Sequence, residues 1–280
     1  MFRQNYYFLV AGLPDVTIEQ GKLQYGTAEF REELKAGLAK TDYSYLQLLF
    51  LTEDNNNLLT LLLKENRPLS HEGVYEPEFL SEELKEPLQL KPYMLQFIES
   101  FRAETRLYPN LSYENELATF WFEELLATKN DFLREWFTFE LNLKNVLLVL
   151  AARKNGLPYE RQVIGNNTIA EIIRKSNARD LGISAEWPWI EKVLQIVDTE
   201  DILLREKAID LLRWNYLDEL NTFNYFTVEV LMAYYIKLGI IERWLRLDQS
   251  TGEEMFRRLL GELKHSYEFP NEFSIKDGRK

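Results

Sequence analysis

The amino-acid sequence predicts an all-α fold, and three observations carry this prediction. Apolar residues recur every three, four and seven positions along most of the chain, as on one face of an amphipathic helix. Sustained alternation, the mark of a strand, is scarce, and only residues 6–13 could form a short extended N-terminus. Proline and glycine separate the helical stretches. A chain of 280 residues can bury a substantial core, so we expect one all-α domain over residues 1–280.

The first predicted helices lie before residue 70. The periodicity predicts helices over residues 29–38 and 43–51, followed by a helix within FLTEDNNNLLTLLLKENRP (residues 50–68). Asp54 or Asn55 is the expected N-cap of this helix, because a short polar side chain can accept hydrogen bonds from the first unpaired backbone N–H groups. Residues 66–77, rich in proline and glycine, predict an irregular linker.

The stretch at residues 112–126 shows the expected division between core and solvent. Ser112 is the expected N-cap, and Leu117 and Trp121 lie four residues apart on the apolar face. Glu114 and Glu116 are expected to face solvent. Further helices are predicted over residues 92–102, 131–154, 169–174, 187–197, 201–220, 226–246 and 253–265.

Glycine and short polar side chains mark helix ends in the second half of the chain. Gly156 suits a left-handed C-cap after the longest predicted helix, and Pro158 prevents that helix from continuing. Thr168 is the expected N-cap of the next helix. Gly239 is expected to interrupt the last helix.

Residues 50–66 match residues 139–155, which lie 89 positions further along the chain. Six of 17 positions are identical, namely Phe50/Phe139, Asn56/Asn145, Leu58/Leu147, Leu59/Leu148, Leu61/Leu150 and Asn66/Asn155. A fainter third copy begins at Phe223, a further 84 positions on. These spacings predict three modules, residues 20–110, 111–198 and 199–280. Alternatively, similar capping residues make unrelated amphipathic helices look alike, and the sequence leaves both interpretations open.

Composition and charge exclude several classes of function. The net charge of −12 argues against nucleic acid as a partner, because Lys and Arg make most phosphate contacts. The chain has no cysteine, which excludes disulfides, thiolate catalysis and cysteine-bound zinc. The most apolar segment, residues 223–236, contains Glu229 and is shorter than the roughly 20 residues that span a bilayer. We therefore expect a soluble, cytoplasmic protein without a leader or transmembrane segment.

No residues show the spacing of a catalytic or metal site, so we expect no enzymatic activity and no cofactor. His71 lies in the linker, and His265 follows Glu262 in a Glu-x-x-His pattern that di-iron bundles use in pairs. An all-α enzyme would need a pocket that gathers these residues with other carboxylates. The aromatic clusters near residues 6–8, 187–189 and 223–235 are interpreted as core, with a partner surface as the alternative.

Two segments carry a family resemblance. Residues 139–173 contain an Asn-Leu-Lys element, a helix that ends in basic residues and glycine, and an Ile-Gly turn, and residues 234–247 combine Tyr, Lys, Glu and Arg. Both resemble the C-type subunits of V/A-type ATPases, whose eukaryotic counterparts are the d-type subunits. Residues 5–15 resemble an uncharacterised bacterial family that accompanies V-type ATPase subunits. The matching positions are Asn142, Leu143, Lys144, Arg153, Lys154, Gly156, Ile164, Gly165, Tyr234, Lys237, Glu242 and Arg246.

The resemblance implies three similar three-helix modules arranged as a funnel. It also implies a non-catalytic connector of the central stalk, peripheral to the cytoplasmic side of the membrane through protein contacts. The implied partners are the proteolipid ring and the rotor shaft subunits, between which such a connector transmits torque. A helical adapter or regulatory protein of an unrelated pathway is the alternative.

Overall fold

The computed structural model describes the backbone of residues 4–266 and the side chains as far as residue 248. The all-α prediction is confirmed, since these residues contain helices and no strand. The α-helices are α1 (Tyr7–Ala11), α2 (Thr27–Gly37), α3 (Lys40–Leu46), α4 (Leu51–Leu62), α5 (Pro77–Glu83), α6 (Pro92–Arg102), α7 (Tyr113–Leu126), α8 (Asp131–Lys154), α9 (Thr168–Lys175), α10 (Ile190–Val197), α11 (Ile202–Leu220) and α12 (Val228–Ser266). A 3₁₀ turn (Gln47–Leu49) precedes α4.

Local side-chain chemistry sets where several helices begin. Four N-cap side chains accept a hydrogen bond from the backbone N–H three residues later, and they are Ser112, Asn130, Asn167 and Asp201. Pro77 and Pro92 occupy the first positions of α5 and α6, where proline loses no hydrogen bond. Ser112 is therefore confirmed as a cap, whereas Asn167 takes the role expected of Thr168.

The N-terminus is helical where an extended segment was considered. The backbone N–H of Tyr6 donates to the carbonyl of Phe226 at 2.6 Å, and the Tyr7 and Phe226 rings lie 4.7 Å apart. These contacts hold α1 against the start of α12. The short helix α5 was not predicted, because seven residues are too few to show a helical period.

The expected interruption at Gly239 is wrong. Helix α12 runs without a break from Val228 to Ser266. A glycine inside a helix costs only about 1 kcal/mol relative to alanine. Its neighbours Leu238, Ile240 and Ile241 are buried, and burying such side chains stabilises the helix by more than that amount.

Most buried side chains of the described helices form one apolar core, and a smaller second cluster lies between α11 and α12. Helix α8 packs against α7, α9, α10 and α11, while α12 packs against α1, α2 and α11. A continuous cluster of buried side chains extends from Tyr6 near the N-terminus to Leu238 in α12. None of the described helices combines the length and apolar character that crossing a bilayer requires.

A buried carboxylate joins α11 to α12. Asp210 is almost fully buried and accepts hydrogen bonds from the Trp244 indole at 2.8 Å and from the Arg213 guanidinium at 3.1 Å. Arg243 also pairs with this carboxylate. Because the buried carboxylate has these partners, it is compensated by charge and hydrogen bonds.

The expected capping role of Asp54 and Asn55 is wrong. Helix α4 begins at Leu51, so both residues lie in its interior. The fully buried Asp54 carboxylate instead accepts hydrogen bonds from the backbone N–H groups of Val74 at 2.7 Å and Tyr75 at 3.0 Å. Asp54 thus pairs with a distant loop, whereas Asn55 accepts a hydrogen bond from the Tyr93 hydroxyl of α6 at 2.7 Å, because α4 turns both side chains towards the core.

The linker before α5 is irregular, as predicted, but it is firmly attached to the helices. The Asn57 amide donates to the Ser70 carbonyl at 2.7 Å and accepts from the Ser70 N–H at 2.8 Å. Arg31 donates to the carbonyls of Glu72 and Gly73 at 2.7 and 2.6 Å. Several backbone polar groups of the linker are thus paired without a helix or strand.

Glu116 does not face solvent as expected. Only 1% of it is exposed, and its carboxylate pairs with the Arg106 guanidinium at 2.7 Å and accepts from the Tyr108 N–H at 3.1 Å. Glu114 is exposed, in agreement with the sequence. Arg106 lies in the segment before α7, outside the periodic pattern that predicted the helix.

The predicted modules differ in their helical content. Within the described residues, α2 to α6 lie in residues 20–110, α7 to α10 in residues 111–198, and α11 and α12 after residue 199. The three-module funnel stays a prediction.

Candidate functional site

A groove of about 660 Å³ opens between α8 and α12. Residues of α4, α7 and α11 complete its wall, together with Thr27 at the start of α2 and Glu72 of the linker. We call it the central groove, and define it by Trp121, Phe137, Lys144, Tyr235, Glu242 and Arg246.

Two helical stripes supply much of the groove lining. The stripe on α8 comprises Trp136, Glu140, Lys144 and Leu147. The stripe on α12 comprises Tyr235, Gly239, Glu242 and Arg246. Both stripes have spacings of three and four residues, which place side chains on one face of a helix. A groove could have been predicted from this mixture of aromatic and charged residues at helical spacing, but the predictions from the sequence do not include one.

Lys144 brings an unpaired ammonium group to the groove. It makes no hydrogen bond or ion pair with any residue whose side chain is described. The side chain is accessible to solvent, yet it lies in a concave site surrounded by protein. This partial desolvation lowers the pKa of Lys144 below its ordinary value, while the charge of Glu114 opposes the change.

Glu242 joins α12 to the beginning of α2. Its carboxylate accepts hydrogen bonds from both the backbone N–H and the hydroxyl of Thr27, each at 2.7 Å. A Cβ on Gly26 would lie 2.2 Å from the Glu242 Oε1, so a side chain there would displace this carboxylate. The carboxylate occupies the positive end of the α2 dipole, where a negative charge is favourable.

Arg213 and Glu140 form part of the groove wall. The guanidinium donates to both carboxylate oxygens, at 2.8 and 3.2 Å. Burial opposes the charge of Arg213, but Glu140 and Asp210 outweigh this effect and raise its pKa. Arg246, in contrast, is exposed and has no partner among the side chains that the structure describes. The groove therefore contains two cations, Lys144 and Arg246, that are available to a ligand.

Three other residues that carry the resemblance shape the chain after α8. Arg153 donates to the carbonyls of Ser176 and Ala178 at 2.5 and 2.6 Å, which ties the end of α8 to the loop after α9. Gly156 has φ +64° and is confirmed as the left-handed C-cap. Gly165 has φ +77°, and a Cβ there would lie 2.9 Å from a methyl group of Leu141.

Asn142 and Lys237 also make contacts within the fold. The Asn142 Oδ1 accepts from the Asn167 side chain at 2.8 Å and so helps to position the N-cap of α9. Lys237 pairs with Asp218, and its ammonium lies 4.6 Å from the centroid of the Trp214 ring. Both residues lie outside the central groove.

The aromatic clusters divide between core and surface. Trp187 and Tyr234 are buried, and Tyr234 meets Phe30 edge to face at 5.2 Å. Phe8 and Phe223 are each 87% exposed. The interpretation of the aromatic clusters as core is therefore correct for Trp187 and Tyr234. It is wrong for Phe8, which lies in α1, and for Phe223, which lies in the turn before α12.

His71 belongs to an exposed group of possible metal ligands. His71 lies 3.1 Å from Glu76, and Glu78 is close enough that the three could share one ion. All three are exposed, and exposed acidic groups of this kind are common without a metal. Glu262 and His265 lie beyond the last described side chain.

The protein is all-α in the residues that the structure describes, and its central groove brings charged and aromatic side chains together. A family model described as "Protein of unknown function (DUF2764)" matches residues 3–267, and the chain belongs to this family. No curated protein and no solved structure matches the chain.

Proposed function

We propose that this chain is a non-catalytic connector of the central stalk of a V/A-type rotary ATPase, and that the central groove receives a helix of the rotor shaft. The supporting observation is that Lys144, Glu242 and Arg246, three positions that carry the resemblance, line one groove. A connector acts through such a surface and through a stiff helical body.

The chemistry of the groove describes the helix that would bind. Trp121, Phe137 and Tyr235 offer an apolar floor, which suits the apolar stripe of an amphipathic helix. Lys144 and Arg246 offer unpaired positive charge, which suits Asp or Glu beside that stripe. Because the carboxylates of Glu53 and Glu72 also line the groove, the expected occupant is an amphipathic helix of the rotor shaft whose acidic residues lie beside Lys144 and Arg246.

The proposal places the protein at the cytoplasmic side of the membrane, attached through protein contacts. The proteolipid ring would bind a second surface, and the exposed aromatic residues Phe8 and Phe223 are available for such contacts. Tyr, Trp and other aromatic residues are enriched at the centres of protein interfaces.

Co-purification tests this proposal. The tagged chain is expected to retain the shaft and ring subunits of the host V/A-type ATPase. Lys144→Glu combined with Arg246→Glu should weaken retention of the shaft, because the reversed charges repel an acidic helix. Lys35→Glu combined with Arg161→Glu makes the same charge change at exposed positions outside the groove and serves as the control.

Recovery of the chain as a free monomer, with no affinity for purified shaft or ring subunits, would overturn the proposal. Equal losses in both double variants would also contradict the assigned groove, since they would indicate a general charge effect. Either result would favour the helical adapter of an unrelated pathway.

A further inference from the structure

A second concave site lies apart from the central groove and is rich in aromatic rings. It has a volume of about 570 Å³ and lies between α8, the start of α9, the start of α10 and α11. We call it the aromatic depression, and define it by the rings of Phe139, Trp187, Trp189 and Tyr216. None of these four residues lines the central groove.

The rings form two walls at a right angle. Phe139 and Tyr216 are stacked, with centroids 4.1 Å apart and planes inclined by 18°. Trp189 stands at 81° to Phe139 and at 86° to Tyr216, with centroid distances of 5.8 and 5.5 Å. Phe139 and Trp187 are buried, so the half-buried Tyr216 and Trp189 are the rings that a ligand can reach. Because the face of an aromatic ring carries negative potential, these two perpendicular rings favour a positive group beside them.

The remaining charges at the depression have the same sign. The exposed carboxylates of Glu135 and Glu186 line it, and no Lys, Arg or His does so among the described side chains. Lys192 lies outside the lining, but its ammonium is 4.4 Å from the Trp189 centroid. The indole of Trp189 therefore already accepts one cation from its own chain.

We propose that the aromatic depression binds a small organic cation, either an alkylated ammonium or a guanidinium compound. The perpendicular rings and the two carboxylates complement one positive charge. The volume lies within the range of small-molecule sites, and it leaves room for a body beyond the charged group. The hydroxyl of Thr138, which donates to the Arg134 carbonyl at 2.7 Å, also lines the site, and its oxygen can accept a hydrogen bond from that body. This site does not depend on the connector role.

Matched ligands test the proposal directly. Benzyltrimethylammonium and choline are titrated into the full chain by calorimetry and tryptophan fluorescence, and 3,3-dimethylbutan-1-ol serves as the uncharged isostere of choline. The cations should bind and change the emission, whereas the isostere should bind at least about tenfold more weakly. Equal affinity for choline and its isostere, or no binding of benzyltrimethylammonium, choline or arginine amide, would overturn the proposal.

Variants locate the bound cation. Glu186→Gln should weaken binding about five- to tenfold, and Trp189→Leu should weaken it by at least about tenfold, with the helical circular dichroism unchanged. Glu191→Gln removes an exposed charge from α10 outside the depression and should leave the affinity unchanged. Equal effects of Glu186→Gln and Glu191→Gln would indicate general attraction to an acidic chain and would refute the site.

A binding experiment with a peptide distinguishes a small-molecule ligand from a side chain of a partner protein. Binding of an arginine-containing peptide without any binding of benzyltrimethylammonium or arginine amide would overturn a small-molecule site and assign the depression to a protein partner. Trp121→Phe, which alters a groove residue, should preserve the change in emission, because Trp121 does not line the depression.

Discussion

Asp54 illustrates, at the scale of single residues, how surroundings decide the role of a polar side chain. It is fully buried, and burial raises the pKa of its carboxyl group to about 6, from an ordinary value of 3.8. The backbone N–H groups of Val74 and Tyr75 and the charge of Arg31 act in the opposite direction but do not cancel the effect of burial. A Cβ on Gly73 would lie 2.2 Å from its Oδ1, so the loop packs tightly around this carboxyl group.

The raised pKa predicts how stability depends on pH. The folded state holds the proton of Asp54 more tightly than the unfolded state, so its contribution is complete below the unfolded pKa near 4 and is lost as pH rises through about 6. Relative to Asp54→Asn, which does not titrate, the wild-type free energy of unfolding should fall by about 2–3 kcal/mol between pH 4 and 7. Urea denaturation across this range measures the difference.

Glu32→Gln provides the control for this experiment. It removes an exposed carboxylate that is not among the groups acting on Asp54, so it should preserve the pH dependence of the wild type. A constant difference between wild type and Asp54→Asn over the whole range would show that the burial of Asp54 does not control its protonation.

Two helices use the same device to attach the loops that follow them. Asn57 of α4 binds both backbone groups of Ser70, and Asn145 of α8 binds both backbone groups of Ile164, at 2.8 and 3.0 Å. The repeat alignment pairs Asn145 with Asn56, which is exposed, and not with Asn57. The asparagine that makes this pair of hydrogen bonds in α4 is thus one residue away from the one that the alignment predicts. The repeat stays a prediction, and any structural correspondence has a spacing of 88 at this position.

Two glycines give opposite predictions at the scale of elements. Gly239 lies inside α12, and the nearest atom to an added Cβ is a methyl group of Thr27 at 4.0 Å. Gly239→Ala should therefore raise the free energy of unfolding by about 0.5–1 kcal/mol. No atom of the described residues lies within 4 Å of a Cβ added at Gly156, but its φ is +64°. Gly156→Ala should therefore lower the free energy of unfolding by about 1 kcal/mol.

Urea denaturation of both variants compares the two positions. The signs should differ although the chemical change is the same, because backbone conformation and not space distinguishes the sites. A destabilised Gly239→Ala would mean that the close approach of α2 to α12 requires glycine at this position.

The continuous core determines the expected behaviour of the whole molecule. Buried side chains from α2 to α12 belong to one large cluster, and hydrogen bonds such as that from Thr27 to Glu242 join residues 215 positions apart. We expect the described helices to unfold together. Far-ultraviolet circular dichroism, which reports helix content, and tryptophan fluorescence, which reports packing, should give coincident urea transitions. Separate midpoints would instead indicate modules with independent stability.

Much of the secondary structure was predictable because its causes are local. The predicted bounds of α6 and α8 agree with the structure, since Pro92 and the Asn130 cap act within one helical turn. The continuity of α12 was not predictable from Gly239 alone, because it depends on burial against other helices. The core position of Glu116 likewise depends on Arg106, ten residues earlier and outside the helix.

The all-α class and most helix positions follow from the amino-acid sequence alone, which also singles out Lys144, Glu242 and Arg246. The packing of the helices brings these three to one groove, attaches Glu242 to the start of α2 and buries Asp54 against a loop. The two kinds of effect differ in the distance along the chain over which they act. Propensity, capping and helical period act over a few residues, whereas the burial and pairing of a polar group depend on side chains that are distant in sequence.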